Sequence, residues 1–130
     1  KPMVWSDIQY DDEVFNADGS THAPDKVEIN QPLFEHYKKL IHIRKEHPAL
    51  QSGTYKTLLA DDERSLLVFE RSYKGENIIV VINNSPQEAE VTLPELTGRC
   101  FKDLLSAKEI KQGDKIAVAG KWGLILANCP

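Results

Sequence analysis

The hydrophobic pattern of this chain changes period at residue 53, and that switch constrains its fold more than any other feature. Residues 33–53, LFEHYKKLIHIRKEHPALQSG, read as an amphipathic helix that stops at Pro48. At ~100° per residue, Leu33, Phe34, Tyr37, Leu40 and Ile41 share one arc with Ile43 at its edge. Glu35, Lys38, Lys39, His42, Lys45 and Glu46 take the other side. Arg44 breaks the rule by projecting into the middle of the apolar arc. A guanidinium does not deprotonate to escape burial, so a buried Arg44 needs a carboxylate or backbone carbonyls. The expectation is a helix resting against something large, with Arg44 a buried, hydrogen-bonded structural residue. Asn30 stands where an N-cap belongs, and Pro32 where a missing N–H is harmless.

Beyond residue 53 the period is two, and about eight short strands follow at the turn spacing of a sandwich or barrel. They are expected at 53–60, 65–72, 78–83, 88–93, 99–105, 109–111, 115–119 and 124–128. Gly75 supplies a positive φ for the turn at 73–77, Pro94 ends the fourth strand, and Gly113 and the 120–123 tip are further hairpin signals. The nearly unbroken apolar run at 78–83 suits a central strand covered on both sides. Before the helix, residues 6–31 read as a long acidic loop punctuated by Asn16, Asp18, Gly19 and Pro24. The chain therefore divides into residues 1–52, the tail of something larger with its helix at 32–47, and a self-contained β domain at 53–130.

Composition narrows the function by exclusion. With 130 residues the chain is long enough for one ordinary core, and 41% hydrophobic with 28% charged residues is the make-up of a soluble globular domain. A net charge of −4 with dispersed Lys and Arg argues against nucleic acid as a partner. No apolar run approaches the ~20 residues of a membrane span. Cys100 and Cys129 are expected as two unpaired thiols, the alternative being a bridge that pins the C-terminal end to a neighbouring strand. Localisation is not readable from the N-terminus.

A search for chemistry returns no catalytic residue, no metal site and no cofactor site. There is no GxSxG, GxGxxG or phosphate-binding loop, and His22, His36, His42 and His47 make no zinc-type pair. Asp61, Asp62 and Glu63 share one turn, which splays them into solvent rather than across a cleft. The 11–13 carboxylates lack the spacing of a calcium loop. Trp122, in the 120–123 tip, and Trp5 are candidate contacts for a sugar face or an interface; Tyr73 is a further stacking candidate.

Residues 37–53, YKKLIHIRKEHPALQSG, resemble the last barrel helix and following linker of the α-amylase superfamily of glycoside hydrolases. Tyr37, Leu40, Ile41, Ile43, Arg44, Ala49, Leu50 and Gly53 fit that pattern. SLLVFERS (65–72) and NIIVVINNS (77–85) are similar to the second and third strands of the superfamily's C-terminal β-sandwich. KPMVW (1–5) resembles the chain past the eighth barrel strand in the neopullulanase and cyclomaltodextrinase branch, and the acidic insertion resembles that of Bacteroides-type members. The resemblance implies a mainly β fold: an eight-stranded antiparallel Greek-key sandwich preceded by one α-helix left over from a (β/α)8 barrel. It implies an accessory, stabilising domain of a retaining α-glucan hydrolase, with the upstream barrel of the same chain and an α-glucan as partners. The superfamily's catalytic Asp, Glu and Asp fall upstream of Lys1, so the chain by itself is expected to be inactive. The alternative is an independent carbohydrate-binding module, with Trp122, Trp5 or Tyr73 stacking on sugar.

Overall fold

A computed structural model of the chain describes residues 4–5, 7–92, 100–110 and 115–129. The expectations for residues 1–3, Leu93, Pro94, Arg99, Lys111 and Gly113 lie outside them. Two compact units are present, Lys1–Leu40 and Ile41–Pro130.

In the first unit, the segment expected to be an acidic loop carries a hairpin, β1 (Glu13–Phe15) and β2 (Thr21–Asp25). This corrects the loop reading. The strands are short, and Pro24 is tolerated because β2 is an edge strand of a two-stranded sheet. Asn16, Asp18 and Gly19 make the turn as expected, Gly19 at φ 84°. Helix α1 (Gln31–Glu46) then starts on Asn30, whose side-chain oxygen accepts the Leu33 N–H at 3.0 Å.

In the second unit, Pro48 opens a short second helix, α2 (Pro48–Ser52), rather than ending helical structure. A proline has no N–H to lose at the first helical position, so it both stops α1 and starts α2. Eight strands follow among the described residues: β3 (Thr54–Asp61), β4 (Leu66–Tyr73), β5 (Glu76–Asn83), β6 (Ala89–Val91), β7 (Phe101–Asp103), β8 (Glu109–Ile110), β9 (Ile116–Val118) and β10 (Trp122–Asn128). They form a six-stranded antiparallel sheet in the order β3-β4-β5-β10-β7-β8 and a two-stranded sheet, β6-β9. After β5 the chain passes to the small sheet as β6, returns to the large one as β7 and β8, passes again to the small one as β9 and comes back as β10 between β5 and β7, so the β-sandwich expected from the sequence is present.

The sheets enclose one core. Leu66, Val68, Ile79, Val81, Phe101 and Leu126 of the large sheet meet Val91, Ile116 and Val118 of the small one. Burying aliphatic side chains of this size stabilises by about 1.5–3 kcal/mol each before the entropy cost. Hairpin β4–β5 turns on Lys74 and Gly75, both at positive φ (48° and 90°), as a two-residue turn matched to strand twist requires.

The 120–123 tip is not a hairpin: β9 and β10 belong to different sheets, so this turn is a crossover. It interlocks with the crossover after β5. Buried Asn83 donates from Nδ2 to the carbonyls of Gln87, Val118 and Ala119, and Lys121 N–H bonds Ser85 O at 2.8 Å. A Cβ on Gly120 would stand 2.2 Å from Pro86 O, so only glycine permits this approach.

Cys100 and Cys129 form a disulfide, which corrects the reading of two free thiols. In the β7–β10 ladder Phe101 faces Asn128, so the next residues outward face each other, and Cys129 N–H bonds Cys100 O at 2.9 Å. Pairing thus brings the two Cα atoms to 5.3 Å, within the range a disulfide spans.

Candidate functional site

Several long-range polar contacts of the second unit gather at the joint between the end of α1 and the sandwich. Helix α2 has no side-chain cap from its own N-cap residue, His47. Glu76, the first residue of β5, takes that place. Its Oε2 accepts the Ala49 N–H at 2.7 Å, and its Oε1 lies 2.7 Å from His47 Nδ1. A carboxylate at a helix N-terminus meets both unsatisfied N–H groups and the positive end of the helix dipole.

The other end of α2 is held as closely. Gly53 N–H returns to Ala49 O at 3.0 Å, and a Cβ on Gly53 would stand 2.3 Å from that oxygen. Arg71 of β4 donates from Nη2 to Gly53 O at 2.8 Å. Gln51 Nε2 reaches back to Lys45 O at 3.0 Å, and Arg44 Nη1 donates to Leu50 O at 2.8 Å. The link between helix and sheet is therefore a braced joint rather than a flexible tether.

Arg44 has the linker carbonyl that its placement called for, but its side chain is exposed, not buried. The reason is the arc around it. Leu33, Phe34, Tyr37 and Ile41 are each at least half exposed, and Ile43 is the buried residue of α1. The apolar stripe exists, but the described chain does not cover it.

The aromatic candidates fall in separate places. Trp5 is 53% exposed, and its backbone N–H donates to Tyr10 Oη at 3.1 Å. It helps line a 310 Å³ hollow with Val4, Ile8, Tyr10, Val27 and Ile29, all in the first unit. Trp122 is the first residue of β10, 46% exposed and opposite Asn83, rather than the summit of a hairpin. Tyr73 pairs with Glu76 at the far end of β5 and carries Lys74 Nζ 5.3 Å from its ring centre. Seven residues of strand, roughly 23 Å, thus separate Tyr73 from Trp122, too far for one sugar platform.

Described carboxylates make no glycosidase pair. Asp61 accepts from the Arg64 backbone N–H at 2.9 Å and from Arg64 Nε at 2.6 Å, and these bonds hold its carboxyl below the ordinary range. Hydrogen bonds from the Ser20 hydroxyl and backbone do the same for Asp18. A general acid needs the opposite shift. Buried Asp103 accepts from the backbone N–H groups of Leu105, Ser106 and Ile125 and from Ser106 Oγ. That makes it a structural brace. Its partner Ile125 sits in a strand 22 residues away, so the sequence carried no local signal for it. Glu76 and Arg71 carry no local signal for the same reason: their partners His47, Ala49 and Gly53, in and at the ends of α2, lie 18 to 29 residues back in the chain. Among the described residues no cluster of His, Cys, Asp and Glu is placed to hold a metal. No described helix is long and apolar enough to cross a membrane.

Known proteins share parts of this sequence and this fold. The family described as "Maltogenic Amylase, C-terminal domain" matches residues 55–119. A cyclomaltodextrinase of Thermoanaerobacter pseudethanolicus is 40% identical over 87 residues, which cover 67% of this chain and 14% of that protein. Neopullulanase 2 of Thermoactinomyces vulgaris is 33% identical, over 93% of this chain and 23% of its own. The chain thus spans less than a quarter of these relatives. An Anoxybacillus α-amylase structure superposes with a TM-score of 0.70 at 24% identity, covering 86% of this chain and 26% of that one. The likeness at that identity concerns the fold.

Proposed function

This chain belongs to the maltogenic amylase C-terminal domain family, and from that premise we propose that it is the non-catalytic end of a retaining glycosidase acting on α-1,4-glucans such as starch, pullulan or cyclodextrins. In this reading residues 1–52 are the tail of the catalytic barrel, with the helix at 32–47 its last, and residues 53–130 are the accessory sandwich. The catalytic Asp, Glu and Asp belong to the barrel upstream, and chemistry proceeds there through two carboxylates and a glycosyl-enzyme intermediate.

One observation carries the reading. A 16-residue helix with an apolar stripe buries Ile43 alone, while the sandwich it leads into is closed over its own core. A helix stable in water buries its stripe against a neighbour. An independent binding module has no need of such a helix, and Tyr73 and Trp122 stand too far apart to serve it. Trp5 and Trp122 are proposed as contacts with the barrel or with glucan, and Arg44 as the brace between helix and linker.

The test is turnover. The 130-residue chain should release no reducing sugar from starch, pullulan or cyclodextrins, while the parent protein should. Activity that co-purifies with the isolated chain overturns the proposal. So does a parent sequence that lacks carboxylates at the ends of barrel strands.

A further inference from the structure

The first unit encloses a hollow at the foot of its hairpin. Hairpin β1–β2 closes where Glu13 faces Asp25, so Asp12 and Lys26 leave its base as neighbours. Below that base the two feet of the hairpin part, residues 4–12 on one side and 26–29 on the other, and the 310 Å³ hollow lies between them. The second foot alternates: Val27 and Ile29 are half-buried, Lys26 and Glu28 exposed. With half-buried Tyr10, Val27 and Ile29 make an apolar floor. Trp5 is held at its edge by a tight turn, its backbone N–H on Tyr10 Oη and its carbonyl accepting the Ile8 N–H at 3.3 Å. Asp12 and Glu28 bring carboxylates to the exposed rim.

This lining selects a class of ligand. An exposed indole, an aliphatic floor and carboxylates at the rim suit a molecule that is apolar on one face and rich in hydroxyl donors at its edge, which describes a pyranose ring. A carboxylate takes a hydroxyl hydrogen in a charge-assisted bond. An anionic ligand would meet two carboxylates against one lysine. A protein surface closing over the hollow would strip water from Asp12, Lys26 and Glu28, a cost that only full pairing offsets. A sugar leaves these groups hydrogen-bonded.

Position decides which sugar it would meet. In the proposed reading α1 is the last helix of a barrel, so the residues before Gln31 form the loop from strand to helix. Such loops build the catalytic face of a (β/α)8 barrel. The strand stands in the inner wall and the helix in the outer ring, so a hollow bounded by both feet of the loop falls on the rim between them. We propose that this hollow is a rim subsite of the parent enzyme, holding one glucosyl unit of an α-1,4-glucan that extends beyond the catalytic centre, with Trp5 against the sugar ring and Asp12 and Glu28 accepting from its hydroxyls. The proposal rests on the reading of this chain as the C-terminal part of an α-glucan hydrolase, and adds to it a place where long substrates are held and short ones are not.

Steady-state kinetics of the parent protein on maltotriose and maltoheptaose test this. Trp5→Ala should raise KM for maltoheptaose about tenfold at unchanged kcat, as loss of a stacked ring does when it binds ground and transition states alike. Both constants for maltotriose should stay as they are, because the short substrate does not reach the rim. Trp5→Tyr should restore most of the loss, since a phenol ring still stacks. Asp12→Asn and Glu28→Gln keep the shape of the hollow and should each raise KM for maltoheptaose about two- to threefold. These two carry the test if Trp5→Ala does not fold. An active parent in which every variant keeps the original KM for maltoheptaose overturns the subsite and leaves the functional reading intact. Equal losses on both substrates also overturn it, since the hollow would then act through the fold and not by holding a distant sugar. A parent that hydrolyses neither substrate nor starch overturns the functional reading itself.

Discussion

Residues Lys1–Leu40 and Ile41–Pro130 are comparable in their supply of large apolar side chains and opposite in what they do with them. In the first unit no described residue is fully buried; Trp5, Ile8, Phe15, Leu33, Phe34 and Tyr37 are all at least half exposed. In the second, nine residues form a shared core between two sheets. Hydrophobic content alone therefore does not make a folding unit. The second unit has strands whose alternate residues converge, while the first has a hairpin and a helix whose stripe is left at least half exposed at Leu33, Phe34 and Tyr37. In the proposed reading the difference is that of an accessory sandwich and the tail of a catalytic barrel.

Substitutions sharpen that contrast. Leu126→Ala should cost about 2–5 kcal/mol, since it opens a cavity in a closed core. Phe34→Ala, on a side chain of similar size, should stay within about 0.5 kcal/mol because that ring is already half in water. Urea midpoints of the two variants measure the contrast. Similar losses would mean that α1 is packed in the isolated chain.

Next in size is the disulfide. Cys100 and Cys129 close a loop with a separation of 29 residues, for which chain-entropy arguments give about 3–4 kcal/mol. Replacing both by Ser should lower the denaturation midpoint by that order, and reducing agent should do the same to the native chain and nothing to the variant. Both effects should appear in the unfolding of the sandwich and leave the first unit untouched.

Glu76→Ala should follow, at about 1–3 kcal/mol, because it leaves the Ala49 N–H and His47 without their acceptor. Its particular sign is a loosened joint: protease cleavage within 47–53 should accelerate before the sandwich unfolds. The smallest effect belongs to Arg44. With its side chain exposed and one bond to Leu50 O, Arg44→Met should cost about 0.5–1.5 kcal/mol, still more than Lys38→Met or Lys45→Met. Equal midpoints for the three variants would remove the bracing role.

The sandwich was legible in the sequence because its signals are local. Alternation in 65–72 and, within the strand expected at 88–93, in 89–91, Gly75 in its turn and Asn30 at its cap each specify one feature within a few residues, and each holds among the described residues. What escaped was set by partners far along the chain. The disulfide becomes visible only once β7 and β10 pair and place residue 129 opposite 100. The burial expected of Arg44 assumed a neighbour over the arc, and the described chain supplies none. Pro48 ends α1 but also starts α2, and β1–β2 is too short for its period to show. At the joint, Gly53 fitted the linker pattern, but Glu76 and Arg71 act across long separations that no spacing rule records.

The contrast between the two units is tested most directly by amide hydrogen exchange on the intact 130-residue chain. Strands β4, β5 and β10 should exchange slowest and at one common rate, while residues 4–40 exchange orders of magnitude faster, as segments without a buried core do. Protection of the first unit equal to that of the sandwich would contradict the account, because that segment would then share the sandwich's stability rather than behave as the proposed barrel tail.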